Sequence, residues 1–241
     1  HKPNLLLVGG AMMIIGFGFK IAMAPFHVWT PDVYEGAPTP ITGFMAAGPK
    51  AAAFASFLRV FVLGLPFVAG AQAAGYLHSS WITALSVLAM MTIIVGNVSA
   101  IMQNNVKRML AYSSIAHAGF LLVGIAAAAQ LDEGRLTTET VSSVLFYVLA
   151  YTVSNVLAFG SLIVVGSRGK EAVSYEDLAG VGRRHPWVGV PFTLGILSLM
   201  GFPPTAGFFA KYWILEAAVN AGGAMTYLAI LAVLMSAVGS Y

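Results

Sequence analysis

The sequence contains no cysteine. That excludes a disulfide framework, an iron–sulfur cluster or a thiolate metal site built from this chain. Charge is the second shortage. Asp, Glu, Lys and Arg make up 9% of the 241 residues, against about 25% in a soluble domain. A chain so poor in charge and 59% hydrophobic is neither an ordinary soluble enzyme nor a disordered segment. Its net charge of +3 sits mostly in short connections, which gives no ground for expecting a nucleic-acid partner. No basic stretch followed by a small-residue cleavage site opens the chain. It starts at His1 and stops within the apolar run LAILAVLMSAVGSY, and is expected to be a fragment of a longer polytopic protein.

What the sequence does have is long apolar runs. A helix needs about 20 apolar residues to cross the hydrocarbon core. Such runs cover 5–24, 41–65, 81–103, 107–129, 140–167, 188–222 (broken near 203–207) and 224–241, the last truncated. They lack the period-two alternation of a membrane barrel. The expected fold is all-α, a polytopic transmembrane helix bundle forming one transmembrane domain over 1–241. Successive connections alternate sides. One face receives 26–40, 104–107 and 168–187, with Lys107, Arg108, Arg168, Lys170, Arg183 and Arg184. The other receives Lys2 and Arg135, beside Asp132, Glu133 and Glu139. The more basic face is expected to be cytoplasmic.

Four basic residues remain inside the runs: Lys20, Lys50, Arg59 and Lys211. A charge at mid-bilayer costs at least about 2.5–3.5 kcal/mol, so each needs a reason. Arg59 is near the end of its run and can snorkel to the interface. Lys50 lies about 14 Å into its run, near the midplane. Lys20 precedes Pro25 in GFGFKIAMAPFHVW, and Lys211 follows Pro203 and Pro204 in GFPPTAGFFAKYW. Proline removes a backbone donor and clashes with the preceding turn. In lipid such irregularity survives only where it is buried in protein or lines a wet cavity. The two broken runs cross in opposite directions, one with lysine before the break and one with lysine after it. That is the pattern of an inverted repeat with broken helices at its centre. The competing reading is two kinked helices whose lysines pair with carboxylates for packing alone.

Lysine suits proton transfer at such a place. Desolvation disfavours an ammonium ion and a nearby carboxylate favours it, so a group between the two can take and release a proton. No carboxylate lies within the first five runs, so a partner for Lys20 must come from a part of the protein outside this stretch or from another subunit. Glu216, five residues after Lys211, is off the helical register for pairing. His117, about 15 Å into its span, can form a relay with Tyr112, Ser113 and Ser114 or serve packing alone. His27 follows the first break and is a candidate for carrying protons toward the cytoplasmic mouth. His78 and His185 are expected in loops. Tyr147, Tyr151, Ser154 and Asn155 give one helix a polar stripe, read first as a helix contact and second as a water path. GFG at 16–18 follows no strand and is not a dinucleotide fingerprint. The sequon Asn97-Val98-Ser99 lies inside a span. The 167–187 connection carries both charge signs and predicts a short surface helix around SYEDLAG.

PFHVWTPDVYEGAPTP, NNVKRMLAYSSIAHAGFLLVG and GFPPTAGFFAKYWILEA resemble the antiporter-like membrane subunits of respiratory complex I. Among these the wording is most similar to the N-type subunits of NADH–quinone oxidoreductase, over essentially the whole chain. The M-type subunits carry glutamate where Lys211 stands. The L-type share the lysine but differ around VYEGAPTP. The resemblance implies inverted five-helix repeats, each with a broken helix, of which this chain would supply the second half. It implies that Lys20, Lys50 and Lys211 are the lysines of a proton path and that His117 belongs to its polar axis. The glutamate that partners the first lysine would lie upstream of His1. It also implies a translocase subunit without redox chemistry of its own, binding no cofactor. FMN and iron–sulfur clusters would sit in partner subunits, with the other membrane subunits, the lipid bilayer and protons as partners, in a bacterial inner membrane. Related sodium–proton antiporter subunits share the lysine plan, and a purely structural scaffold is a third reading. Nothing in the sequence marks a quinone pocket.

Overall fold

A computed structural model of the chain describes residues 3–64, 70–130, 134–166, 171 and 173–240. Lys2, Asp132, Glu133, Arg168 and Lys170, and the side chains of His78 and Arg135, lie outside the described residues. Helix α1 spans Pro3–Ile21, α2 Trp29–Gly36, and α3 Thr39–Leu58, which runs on as a π-helical turn Arg59–Gly64. Then come α4 (Gly70–Ile101), α5 (Val106–Gln130) and α6 (Gly134–Val165). Two single-turn helices, α7 (Tyr175–Leu178) and α8 (Val181–Arg184), precede α9 (Pro186–Met200), α10 (Ala206–Ala221) and α11 (Ala224–Gly239). Among the described residues there is no strand. The chain is a multi-pass helical membrane protein. Four stretches, Thr39–Val62, Ser79–Ile101, Val106–Gln130 and Thr138–Val165, are each long and apolar enough to cross a membrane.

Two elements differ from the sequence reading. The connection expected over 26–40 holds the half-helix α2, which buries Thr30, Pro31 and Tyr34. Polar Asp32 and Glu35 hide it in the hydropathy pattern. Helix α4 starts well before residue 81, so His78 lies in a helix, not a loop.

The two breaks are built alike. At the end of α1, Met23 N–H donates to Gly18 O (2.8 Å) and Ala22 N–H to Phe19 O (3.3 Å). At the end of α9, Phe202 N–H donates to Leu197 O (2.9 Å) and Gly201 N–H to Ser198 O (3.1 Å). Both are Schellman terminations, which require a left-handed residue one position past the cap. Gly201 takes that conformation freely at φ 86°. Ala22 adopts it at φ 62° against a cost of about 1–2 kcal/mol. Proline then stops each helix from resuming, at Pro25 and at Pro203–Pro204. The freed Ala24 N–H donates to Thr92 Oγ1 of α4 (3.0 Å), and Trp29 Nε1 donates to Phe19 O (3.1 Å).

Helix α5 is the centre of the bundle, buried almost continuously from Ser114 to Ala128. A helix apolar all round is stable only when surrounded, and α3, α4, α6, α10 and α11 surround it. Close approach to α4 rests on small residues. A Cβ at Gly119 would sit 2.5 Å from Ile93 Cγ1 and 2.9 Å from Ile93 N, and Gly96 faces the backbone of Ala116.

On the basic face the three connections meet. Val106 N–H donates to Val173 O (2.8 Å). Lys107, 1% exposed, donates to Glu171 (2.7 Å) and to Ala37 O (2.6 Å). Thr39 N–H donates to the same carboxylate (2.8 Å). Arg108 pairs with Asp32 and Glu35 at 2.8 Å each. The short helix expected around SYEDLAG is α7, capped by Ser174 and Asp177 in a reciprocal capping box.

Candidate functional site

Lys50 follows Pro49 within α3 and is 4% exposed. Its ammonium donates to Ser114 O of α5 (2.7 Å) and to the Ser114 hydroxyl, and lies 6.0 Å from the centre of the Tyr151 ring. One turn further along α5, His117 is buried against two tyrosines of α6. Its Nδ1 shares a 2.6 Å hydrogen bond with the Tyr147 hydroxyl, and the rings of His117 and Tyr151 lie 5.0 Å apart. The Tyr151 hydroxyl is buried without a hydrogen-bond partner among the described residues. Ser154, one further turn along α6, donates to Ser198 Oγ (2.7 Å), which accepts from Gly207 N–H (3.2 Å). The tyrosine stripe is thereby tied to the second break.

Lys211 lies over that break. Its ammonium donates to Met200 O (2.7 Å), one of the carbonyls left free where α9 ends, and to Ser236 Oγ of α11 (3.1 Å). It stands 5.1 Å from the Phe120 ring centre. With Lys211, His117 lines one cavity of about 340 Å³.

The structure places Lys50 against Ser114 of α5, His117 against Tyr147 of α6, and Lys211 with His117 on the wall of one cavity. Lys20 is not among these groups. It lies in the last turn of α1, exposed, with no hydrogen bond or ion pair among the described residues. Glu216 lines a separate cleft with Glu139 and does not reach Lys211. His27 is half-buried at the first break, its Nδ1 without a hydrogen-bond partner among the described residues. His185 is exposed. Sequence reasoning weighed Tyr147 as a helix contact and missed it as the partner of His117. The signal was the spacing of Tyr147, Tyr151 and Ser154 along one helical face. Ser198 and Ser236 carried no such signal, because their helices are apolar on every side.

Residues 1–238 match the transmembrane family described as NADH:quinone oxidoreductase/Mrp antiporter. NADH-quinone oxidoreductase subunit N 1 of Sorangium cellulosum is 53% identical over 237 residues, covering 98% of this chain and 44% of that protein. The chain thus spans about half the length of the curated relatives it matches. Among solved structures, a chain of respiratory complex I from Thermus thermophilus superposes with TM-score 0.76 at 38% identity, over 96% of this chain and 46% of that one. A chain of the Mrp complex from Dietzia, at 22% identity and TM-score 0.82 over 98% of this chain and 40% of that one, shares the fold. A break-centred lysine bundle and a match over nearly its full length place this chain in the NADH:quinone oxidoreductase/Mrp antiporter transmembrane family.

Proposed function

We propose that the chain is the second half of a proton-translocating membrane subunit of a bacterial NADH–quinone oxidoreductase, resident in the inner membrane. Redox chemistry, with FMN and iron–sulfur clusters, belongs to partner subunits. Protons would pass between Lys20, Lys50, His117 and Lys211. The carboxylate that completes Lys20 belongs to a part of the protein outside these helices.

One observation carries this reading. Among the described residues, Lys50 and Lys211 are held by neutral oxygens only: Ser114, Met200 and Ser236. A lysine kept for packing would be locked as a cation by a carboxylate, as Lys107 is by Glu171. A lysine facing a carbonyl and a hydroxyl is not so locked, and the hydroxyl can donate to the neutral amine. The buried His117–Tyr147 pair between them supplies a group that takes a proton on one ring nitrogen and gives one from the other. Moving each charge against 100 mV requires about 2.3 kcal/mol, so the protonation changes must be driven by the redox reaction.

The test is acidification of inverted membrane vesicles bearing the full-length subunit in the assembled complex. NADH should drive acidification without sodium, and Lys20→Ala should diminish it while the complex remains assembled. Acidification that requires sodium and no NADH would instead assign the chain to a sodium–proton antiporter.

A further inference from the structure

The described cations of the basic face fall into two groups. Lys107 is neutralised by Glu171, and Arg108 by Asp32 and Glu35. Arg183 and Arg184 are exposed, and neither side chain makes an ion pair or a hydrogen bond among the described residues. The acids of α7 do not meet them. Asp177 accepts from Val173 and Ser174 N–H (3.2 and 3.0 Å), and Glu176 pairs with neither arginine. The two arginines are held in place by backbone. Gly180 turns the chain into α8 at φ 76°. Helix α8 then lies against the start of α9 on two glycines, since a Cβ at Gly189 would sit 2.5 Å from Gly182 Cα. His185 joins the two helices. Its N–H donates to Val181 O (2.7 Å), and its carbonyl accepts from Val188 and Gly189 N–H (3.0 Å each). This tight corner keeps Arg183 and Arg184 within one turn of Trp187, the second residue of α9.

Trp187 is 93% exposed, and Val190 and Leu194 are bare beside it at i+3 and i+7, one stripe along the helix. Helix α9 carries no charged residue from Pro186 to Met200. In a membrane bundle such a stripe faces acyl chains, and an indole in the first turn lies at the level of the headgroups. Above it stand two guanidinium groups, whose planar forks match the oxygens of a phosphate. A phospholipid presents the same order in one molecule, charge at the top and hydrocarbon below. A zwitterionic lipid brings its own cation and cannot neutralise two arginines, whereas an anionic one can offset them.

We propose that the corner from Arg183 to Trp187 is a docking site for an anionic phospholipid of the leaflet at the basic face. Arg183 and Arg184 hold the headgroup phosphate, the indole of Trp187 lies against the glycerol, and one acyl chain runs along Val190 and Leu194. The lipid thereby fixes the depth at which α9, the first half of the second broken helix, enters the membrane. This site requires only the membrane-spanning fold and is independent of what the buried lysines do.

The test is photolabelling of the assembled complex with the full-length subunit, reconstituted in phosphatidylcholine vesicles. A trace of phosphatidylglycerol or of phosphatidylcholine, each with a diazirine in one acyl chain, is the probe, and labelled fragments are located by mass spectrometry. The fragment holding Trp187 to Leu194 should take up the glycerol lipid at least about fivefold more than the choline lipid, the equivalent of about 1 kcal/mol for one arginine near an anionic surface. In the double variant Arg183→Gln/Arg184→Gln that excess should vanish while labelling by the choline lipid persists. In the unmodified complex the excess should fall as salt is raised, a result that needs no variant to assemble. An excess of inorganic phosphate at constant ionic strength should leave it unchanged. Equal labelling by the two lipids, an excess that survives in the double variant, or one indifferent to salt would overturn the proposal. Competition by phosphate would overturn it in favour of a free-anion site. Failure of both lipids to label this fragment, while the exposed face of α4 at Val87 and Met91 is labelled, would show that another subunit covers the corner.

Discussion

At the residue scale the central relation is the 2.6 Å bond between His117 Nδ1 and the Tyr147 hydroxyl. It fixes how the imidazole ring is turned and which nitrogen is left to exchange a proton. Tyr147→Phe keeps the ring and removes that partner, at a stability cost of about 0.5–1.5 kcal/mol. We expect NADH-driven acidification to fall well beyond any fall in the amount of assembled complex. Adding His117→Ala to Tyr147→Phe should lower it no further, because residues acting as one unit are not additive. A full second loss in the double variant would show that the two act separately. The lysines and His117 were legible in the sequence because charge is so rare there. Tyr147 was visible only as part of a stripe, since a tyrosine is common both at helix contacts and in relays. The exposure of Lys20 was not legible at all, because it depends on tertiary packing and not on the local sequence.

At the element scale the breaks and the α4–α5 contact decide where these side chains go. Proline marked both breaks, and the structure adds that each ends in the same hydrogen-bonded turn, with alanine at the left-handed position of the first. Half-helix α2 escaped the hydropathy reading because Asp32 and Glu35 made it look like a loop. Their carboxylates are bound by Arg108 from another helix, a pairing that no local pattern announces. Helix α5 holds Ser114 and His117 in register only if α4 lies close against it. Gly119→Leu would drive a branched side chain into Ile93, and overpacking of this kind costs about 1–3 kcal/mol. The expected result is a lower amount of subunit in the membrane and a lower melting temperature of the complex. An unchanged melting temperature would mean that the two helices can part without cost.

At the scale of the whole molecule, the Lys107–Glu171 contact ties the connection before α7 to the junction of α2 and α3, and so links the flanks of the two broken helices. The hydrogen bond from Lys107, with that from Thr39 N–H, holds the Glu171 carboxyl below its ordinary range. A carboxyl so lowered contributes stability above its ordinary value, and that contribution is lost as pH falls through the folded value. Glu171→Gln keeps an amide oxygen for Lys107 to donate to but removes the negative charge beside its buried ammonium, at a cost of about 1–3 kcal/mol. Near neutral pH this variant should be cut by protease at Arg183 and Arg184 faster than the unmodified protein. The difference should vanish in acid, where the carboxyl is protonated in both. A difference that persists in acid would mean that the contact does not depend on charge. The grouping of these connections on one face followed from the alternation of spans. The acid partners that neutralise Lys107 and Arg108 did not, since they come from elements remote in sequence.

The account stands on Lys50, the buried lysine whose partners among the described residues are neutral. The most direct test is the number of protons delivered per NADH oxidised by inverted vesicles, compared between the unmodified complex and Lys50→Ala in the full-length subunit. Assembly is checked on the same membranes. A lowered ratio, or pumping and oxidation falling together in fully assembled complex, is the result predicted. An unchanged ratio at unchanged turnover would contradict the account and reduce Lys50 to a packing residue.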